Sequence, residues 1–297
     1  MFKKIRKYTL GSKRICALPF AAMFAVSATA ANVSWTGATD AVWSTGGNWV
    51  GGVAPTAGDV AVFDASSVGN LSTALGGDRT IMGLKIVTPS GLITIGAGNL
   101  LTLGAGGVDM SAASQNLVLN ALAALAADQS WNVTDGRALT LNGVLSGTGV
   151  NLNKIGGGDV TLSGANTFSG ITTLGAGTLN VGTIGDGGFA GNLGAASSSA
   201  SNLVFAGGTL RYTGSTASTN RNFTIQAGKS ATFHVSQAGT NLTISGASPA
   251  TTGGLTKAGA GTLTIASAQL YTGATLVTEG SLAIGNGGTL PALATSG

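Results

Sequence analysis

Charge is scarce in this sequence: Asp, Glu, Lys and Arg together make up 8% of its residues, against about 25% in ordinary soluble chains. Disordered chains are highly charged and poor in apolar side chains. With 43% hydrophobic residues this chain is the reverse, so it is expected to fold. Proline is nearly absent, with five in 297 residues, so few strands of a continuous sheet would lose a donor. The single cysteine, Cys16, lies in the first thirty residues, which leaves the remainder without disulfides or thiol chemistry. There is one histidine and one glutamate. After residue 30 the longest apolar run, 117–127, is interrupted by Asn120 and is too short to cross a membrane as a helix. Its composition favours helix and its place in the surrounding pattern favours strand.

The first thirty residues read as a secretory signal. Lys3, Lys4, Arg6, Lys7, Lys13 and Arg14 precede an apolar stretch over 15–26, and small residues lead to an expected cleavage between Ala30 and Ala31. Export through the inner membrane, to the cell surface or the medium, is the expected destination. Six of the 14 basic residues belong to this leader, whereas all ten acidic ones follow it, so the mature chain carries a net charge of −2. A nucleic-acid partner therefore has no electrostatic basis.

What the sequence does contain is glycine, 50 residues, and short β-prone runs. Residues 92–95, 100–103, 138–141, 160–162, 178–181, 203–205, 242–244, 262–265 and 281–284 are rich in Leu, Val, Ile and Thr and are bounded by Gly, Asn, Ser or Asp. Brief strands at this spacing predict an all-β fold. An internal repeat selects among all-β architectures. Residues 149–182 superpose on 252–285 without a gap, at an offset that sets Lys154 on Lys257, Gly158 on Gly261, Phe168 on Tyr271 and Leu179 on Leu282. Repetition of this kind means stacked units, none able to bury its apolar face alone. The predicted fold is a right-handed single-stranded parallel β-helix. Rungs of roughly 20–25 residues would give about 11–13 turns and a rod roughly 50–60 Å long. The expected organisation is a signal over 1–30, a Trp-rich N-terminal cap over 31–64 and the β-helix over 65–297.

The segments GGLTKAGAGTLT (253–264) and TLSGANTF (161–168) resemble the autotransporter-associated β-strand repeat, also called the passenger-associated transport repeat. NLVFAGGTLRYT (202–213) and residues 33–63 are similar to other parts of such proteins. The resemblance implies a β-helical passenger on, or released from, the outer surface of a Gram-negative-type cell. Its expected role is structural, adhesive or secretion-assisting, with surface glycans, matrix or the outer-membrane secretion machinery as partners. Autotransporters end in a membrane barrel of alternating segments. Residues 291–297 have no such pattern, so the resemblance bears on fold more than on export route. Self-association through an open end of the β-helix is a further expectation.

Candidate sites are few. Trp35, Trp43 and Trp49 lie within 15 residues and allow two readings: stacking faces for sugar rings, or a cover over the first rung, where open strand edges would invite aggregation. The cover is the preferred reading. A second class of function, a β-helical lyase or glycosidase, needs converging carboxylates, and Asp128, Asp135, Arg137 and Asp159 are the set that neighbouring turns would bring together. His234 has no cysteine or acidic neighbour in sequence and reads as a sheet-surface residue. No catalytic residue, metal site or cofactor is expected.

Overall fold

The computed structural model describes residues 30–291. Residues 1–29, which hold nearly all of the expected signal, lie outside them. All strand pairings between named strands are parallel, and the strands stack as a β-solenoid of about ten turns. Each turn runs over three faces. The first comprises Val60–Phe63, Gln129–Val133, Leu152–Ile155, Thr172–Leu174 and Leu203–Phe205, among others. The second is a ten-stranded sheet from Ser72–Thr73 to Thr275–Val277. The third is formed in the second half by Ala217–Thr219, Asn241–Ile244, Thr262–Ile265 and Ser281–Ile284.

The reason is visible in any one strand. Alternating side chains of Thr178–Val181 are half-exposed and buried, so Leu179 and Val181 point inward and Thr178 and Asn180 outward. Parallel in-register pairing then sets like on like: Leu139, Val160, Leu179, Leu210 and Phe233 form one inward column. These columns merge into a continuous apolar core along the rod. Every added rung buries apolar side chains and completes the hydrogen bonds of the rung below.

Residues 117–127 resolve in favour of strand, as Leu117–Leu119 and Leu122–Leu125 with a corner between them. The Asn142 side-chain amide donates to Asn120 Oδ1 at 2.8 Å, a ladder between equivalent corners of successive rungs. Leu100–Met110 is longer than its sequence pattern predicts because it rounds the corner from the third face to the first without leaving the ladder. The rod has fewer turns than expected for two reasons. Residues 36–58 form loops over the N-terminal end. Between Thr178–Val181 and Leu203–Phe205 the chain makes an excursion that stretches one rung to 31 residues, where the first rung takes 28 and the later strand pairings are 19 to 25 residues apart.

The two copies of the repeat do not share a face. Leu152–Ile155 lies on the first face and Asp159–Leu162 on the second. Their counterparts Gly254–Ala258 and Thr262–Ile265 lie on the second and the third. The second copy is thus turned by one face about the rod axis.

Candidate functional site

The most unusual chemistry in the core is a pair of lysines. Lys154 and Lys257 are 2% and 0% exposed, although each occupies an inward column position. Lys154 lies between Trp131 and Leu174, and Lys257 between Phe233 and Val277. Among the described residues no carboxylate pairs with either ammonium. Lys154 Nζ donates to the carbonyls of Ile155 (3.1 Å), Gly156 (2.7 Å) and Ala176 (3.0 Å). Lys257 Nζ donates to Ala258 (2.7 Å), Gly259 (2.6 Å) and Glu279 (3.1 Å). Each cage thus takes two carbonyls from the lysine's own corner and one from the corner of the next rung, binding two rungs together. Burial pulls the Lys154 amine down to about 8 and moves Lys257 in the same direction. Gly177, at φ +62°, closes the first cage: a Cβ there would meet Gly156 O, Gly158 O and Lys154 Nζ. Gly280 holds the matching place in the second, at φ +68°, where a Cβ would meet Gly259 O and Gly261 O.

The N-terminal tryptophans form the other concentrated feature. Trp35, Trp43 and Trp49 are all buried. Their rings meet edge-to-face, Trp35 on Trp49 at 4.9 Å and Trp43 on Trp49 at 5.2 Å, and all three pack on Phe63. Every indole N–H has an acceptor: Gly69 O for Trp35, Thr73 Oγ1 for Trp43 and Trp43 O for Trp49. Asn48 ties the covering loop together, accepting from the amides of Thr39 and Asp40 and donating to Asp40 Oδ1 and Val42 O. The sugar-stacking reading of these residues is corrected on this point, because no indole face is open to a ring. Iodide is accordingly expected to quench the fluorescence of the folded chain only weakly, since Trp131 is buried as well. Quenching close to that of the urea-unfolded chain would mean that the cap is open in solution. Ala30 and Ala31 are both exposed, and Ala31 O already accepts from Val60 N at 2.7 Å. The ladder therefore begins immediately after the expected cleavage point.

Of the four residues of the enzymatic reading the structure brings three together and leaves Asp128 apart. Asp135, Arg137 and Asp159 line one shallow hollow of about 310 Å³ with Asn116. Asp128 lies in another, of about 320 Å³, where it accepts from Asn151 Nδ2 at 2.7 Å. Asp159 also reaches Arg211 at 3.8 Å. His234 sits half-buried on the outer side of the second face, in column with Arg211 and 3.2 Å from Ser236 Oγ. Burial, and then the charge of Arg211, hold its imidazole below the ordinary value. Among the described residues no three His, Cys, Asp or Glu side chains are grouped so as to hold a metal ion.

At the C-terminal end, inward columns surface. Val277 and Ile284 are 44% and 51% exposed, whereas Lys257 and Ile265, the residues beneath them, are buried. The last described rung therefore presents core-type side chains.

A family model described as passenger-associated-transport-repeat matches residues 152–181 and 255–284. The chain carries two passenger-associated transport repeats. Each begins at the strand that holds a caged lysine and ends with the second strand of the following rung. Each repeat in this chain thus spans about one and a half rungs, its two layers clamped at a corner by one ammonium. Sequence reasoning aligned the two lysines without assigning them a role. The available signal was a charged residue at the same place in both repeats of a chain with little charge to spare. A relative, the Adhesin BmaC autotransporter of Brucella suis biovar 1 (strain 1330), is 48% identical over 125 residues. That match covers 42% of this chain and 4% of the relative, so the chain corresponds to a small fraction of that protein's length. No solved structure matches the chain.

Proposed function

We propose that this chain is a non-enzymatic surface passenger: a rigid rod that is exported and holds contact loops away from the cell for adhesion. The observation that carries the reading is an uninterrupted parallel ladder containing two transport repeats, combined with the likeness to an autotransporter adhesin. A solenoid suits display because each rung contacts only its neighbours, so length and turn sequence vary without disturbing the core. Against a lyase or glycosidase stands the shallow, open form of the hollow that holds Asp135, Arg137 and Asp159, since substrate sites are ordinarily deep clefts. Partners within this reading are surface glycans, matrix components and the outer-membrane secretion machinery. Self-association of the β-helix is a further contact within this reading.

An epitope inserted in the exposed turn at Ala238 tests the reading. Intact cells expressing the full chain should bind the antibody, and shaving them with protease should remove the signal. An epitope detected only after cell lysis would overturn surface display.

The rung-by-rung burial of apolar side chains also favours a second role, in which stacking outside the cell helps to draw the chain outward.

A further inference from the structure

Past the N-terminal loops, the excursion over 182–202 is the one place among the described residues where a rung lengthens to 31 residues. Loops of this length inside a regular fold usually carry function, because the scaffold does not need them. Its tip, Gly187–Gly188–Phe189–Ala190, sets a phenylalanine ring 70% exposed to solvent. Isolated apolar side chains on a surface need no explanation, but this one is held in place by an unusual investment of buried polar groups.

Arg221, 5% exposed and reaching in from the next rung, donates to four carbonyls of the excursion: Gly185 (3.0 Å), Asp186 (3.3 Å), Gly194 (2.7 Å) and Ala196 (3.2 Å). Buried Asn192 accepts from the amides of Gly182 and Thr183 and donates to Ser163 O and Gly164 O. Both sides of the tip are also fixed. Gly188 N donates to Ala196 O at 2.8 Å, and Gly191 and Asn166 exchange backbone hydrogen bonds of 3.0 and 3.1 Å. Gly187 N donates to Asn220 Oδ1, while Asn220 N donates to Asp186 Oδ1. The phenylalanine therefore sits between anchored residues, with only its own side-chain torsions left to order on contact.

We propose that Phe189 is a pre-positioned anchor that enters an apolar pocket on a protein of the contacted surface. The proposal rests on the adhesive reading above. A rigid aromatic on an ordered loop gives large contact area for little loss of conformational freedom, the property that makes such residues interface hot spots. The chemistry of the loop selects the partner. The excursion contains no lysine or arginine, so nothing in it attracts lipid phosphates. Of its polar side chains nearest the tip, Asn192 is spent on backbone groups and Asp186 gives one carboxylate oxygen to Asn220 N, which leaves an apolar ring as the main contact the tip offers.

The test uses the purified, fluorescently labelled chain on an epithelial cell monolayer, with circular dichroism to verify folding. Phe189→Ser is expected to weaken saturable binding tenfold or more, and Phe189→Trp to stay within about threefold of the parent. Val68→Ser, equally exposed elsewhere on the rod, should leave binding unchanged. Trypsin treatment of the cells should abolish binding, and neutral phosphatidylcholine vesicles should not capture the chain. Parent-like binding by Phe189→Ser, binding that survives trypsin treatment, or capture by the vesicles would overturn the inference while leaving adhesion standing. A parent chain that does not bind the cells at all would overturn the adhesive reading and the anchor with it.

Discussion

Leu263→Asp is expected to unfold the C-terminal rungs and to cut secretion of the chain severalfold, while Ala238→Asp leaves both unchanged. Leu263 is fully buried on the third face, with Leu242 on one side and Leu282 on the other in the same inward column. The substitution removes a core leucine and places a carboxylate where no hydrogen-bond donor is offered. The combined cost is about 4 kcal/mol or more. Because rungs contact only their neighbours, the damage should stay local: limited proteolysis is expected to trim the rod back toward residue 250 and leave the N-terminal rungs protected. Ala238 lies in an exposed turn, where a carboxylate meets only water. If stacking helps to draw the chain out of the cell, a rung that cannot close should slow export where a charged turn does not. Equal amounts of the two variants outside the cell would sink the export role without affecting the rod.

Lys154→Met should lower stability by roughly 2–4 kcal/mol despite adding an apolar side chain to an apolar core. Methionine fills the space between Trp131 and Leu174 but leaves the carbonyls of Ile155, Gly156 and Ala176 facing a group that cannot donate. The same substitution at Lys257 opens a twin cage nearer the exposed last rung. It should fray the end of the rod more than it lowers the main transition. The parent also carries a pH signature. Lys154 titrates at about 8 in the folded chain and near its ordinary value of 10.5 when unfolded. Between those values the unfolded state binds more protons, so stability contributed by this group rises with pH over that window and is flat below it. The neutral amine still offers two donors to the cage. Melting followed by circular dichroism from pH 7 to 10.5 should show the parent gaining on Lys154→Met as pH rises. A parent that loses ground to the variant over that range would mean that the cage holds the ammonium far more strongly than burial opposes it.

These lysines illustrate how the site differed in legibility from the fold. Strand periods were readable because alternation is local: Ala138–Leu141, Thr178–Val181, Leu203–Phe205, Thr262–Ile265 and Ser281–Ile284 fall where the pattern of Leu, Val, Ile and Thr sets them. The caged ammonium was not readable, because its acceptors are backbone carbonyls, which every residue possesses and no side chain announces. The tryptophans were found by their clustering. Their burial, however, depends on a loop folding back through Asn48 and on Phe63 beneath. Arg221 gave no local sign of reaching the preceding excursion, since its partners there lie 25 to 36 residues earlier.

By itself the sequence determined that this chain builds a stacked, disulfide-free, all-β rod and that two stretches of it are copies of one unit. Alternation, glycine corners and self-similarity are properties of neighbouring residues. Only the tertiary structure decided which way each copy faces. The offset between the copies is four turns and one face, and that remainder is the sum of every corner and loop between them, the 182–202 excursion included. Alignment measures spacing inside a unit. The angle between units accumulates in the turns, where lengths vary freely because solvent-exposed backbone meets little steric constraint.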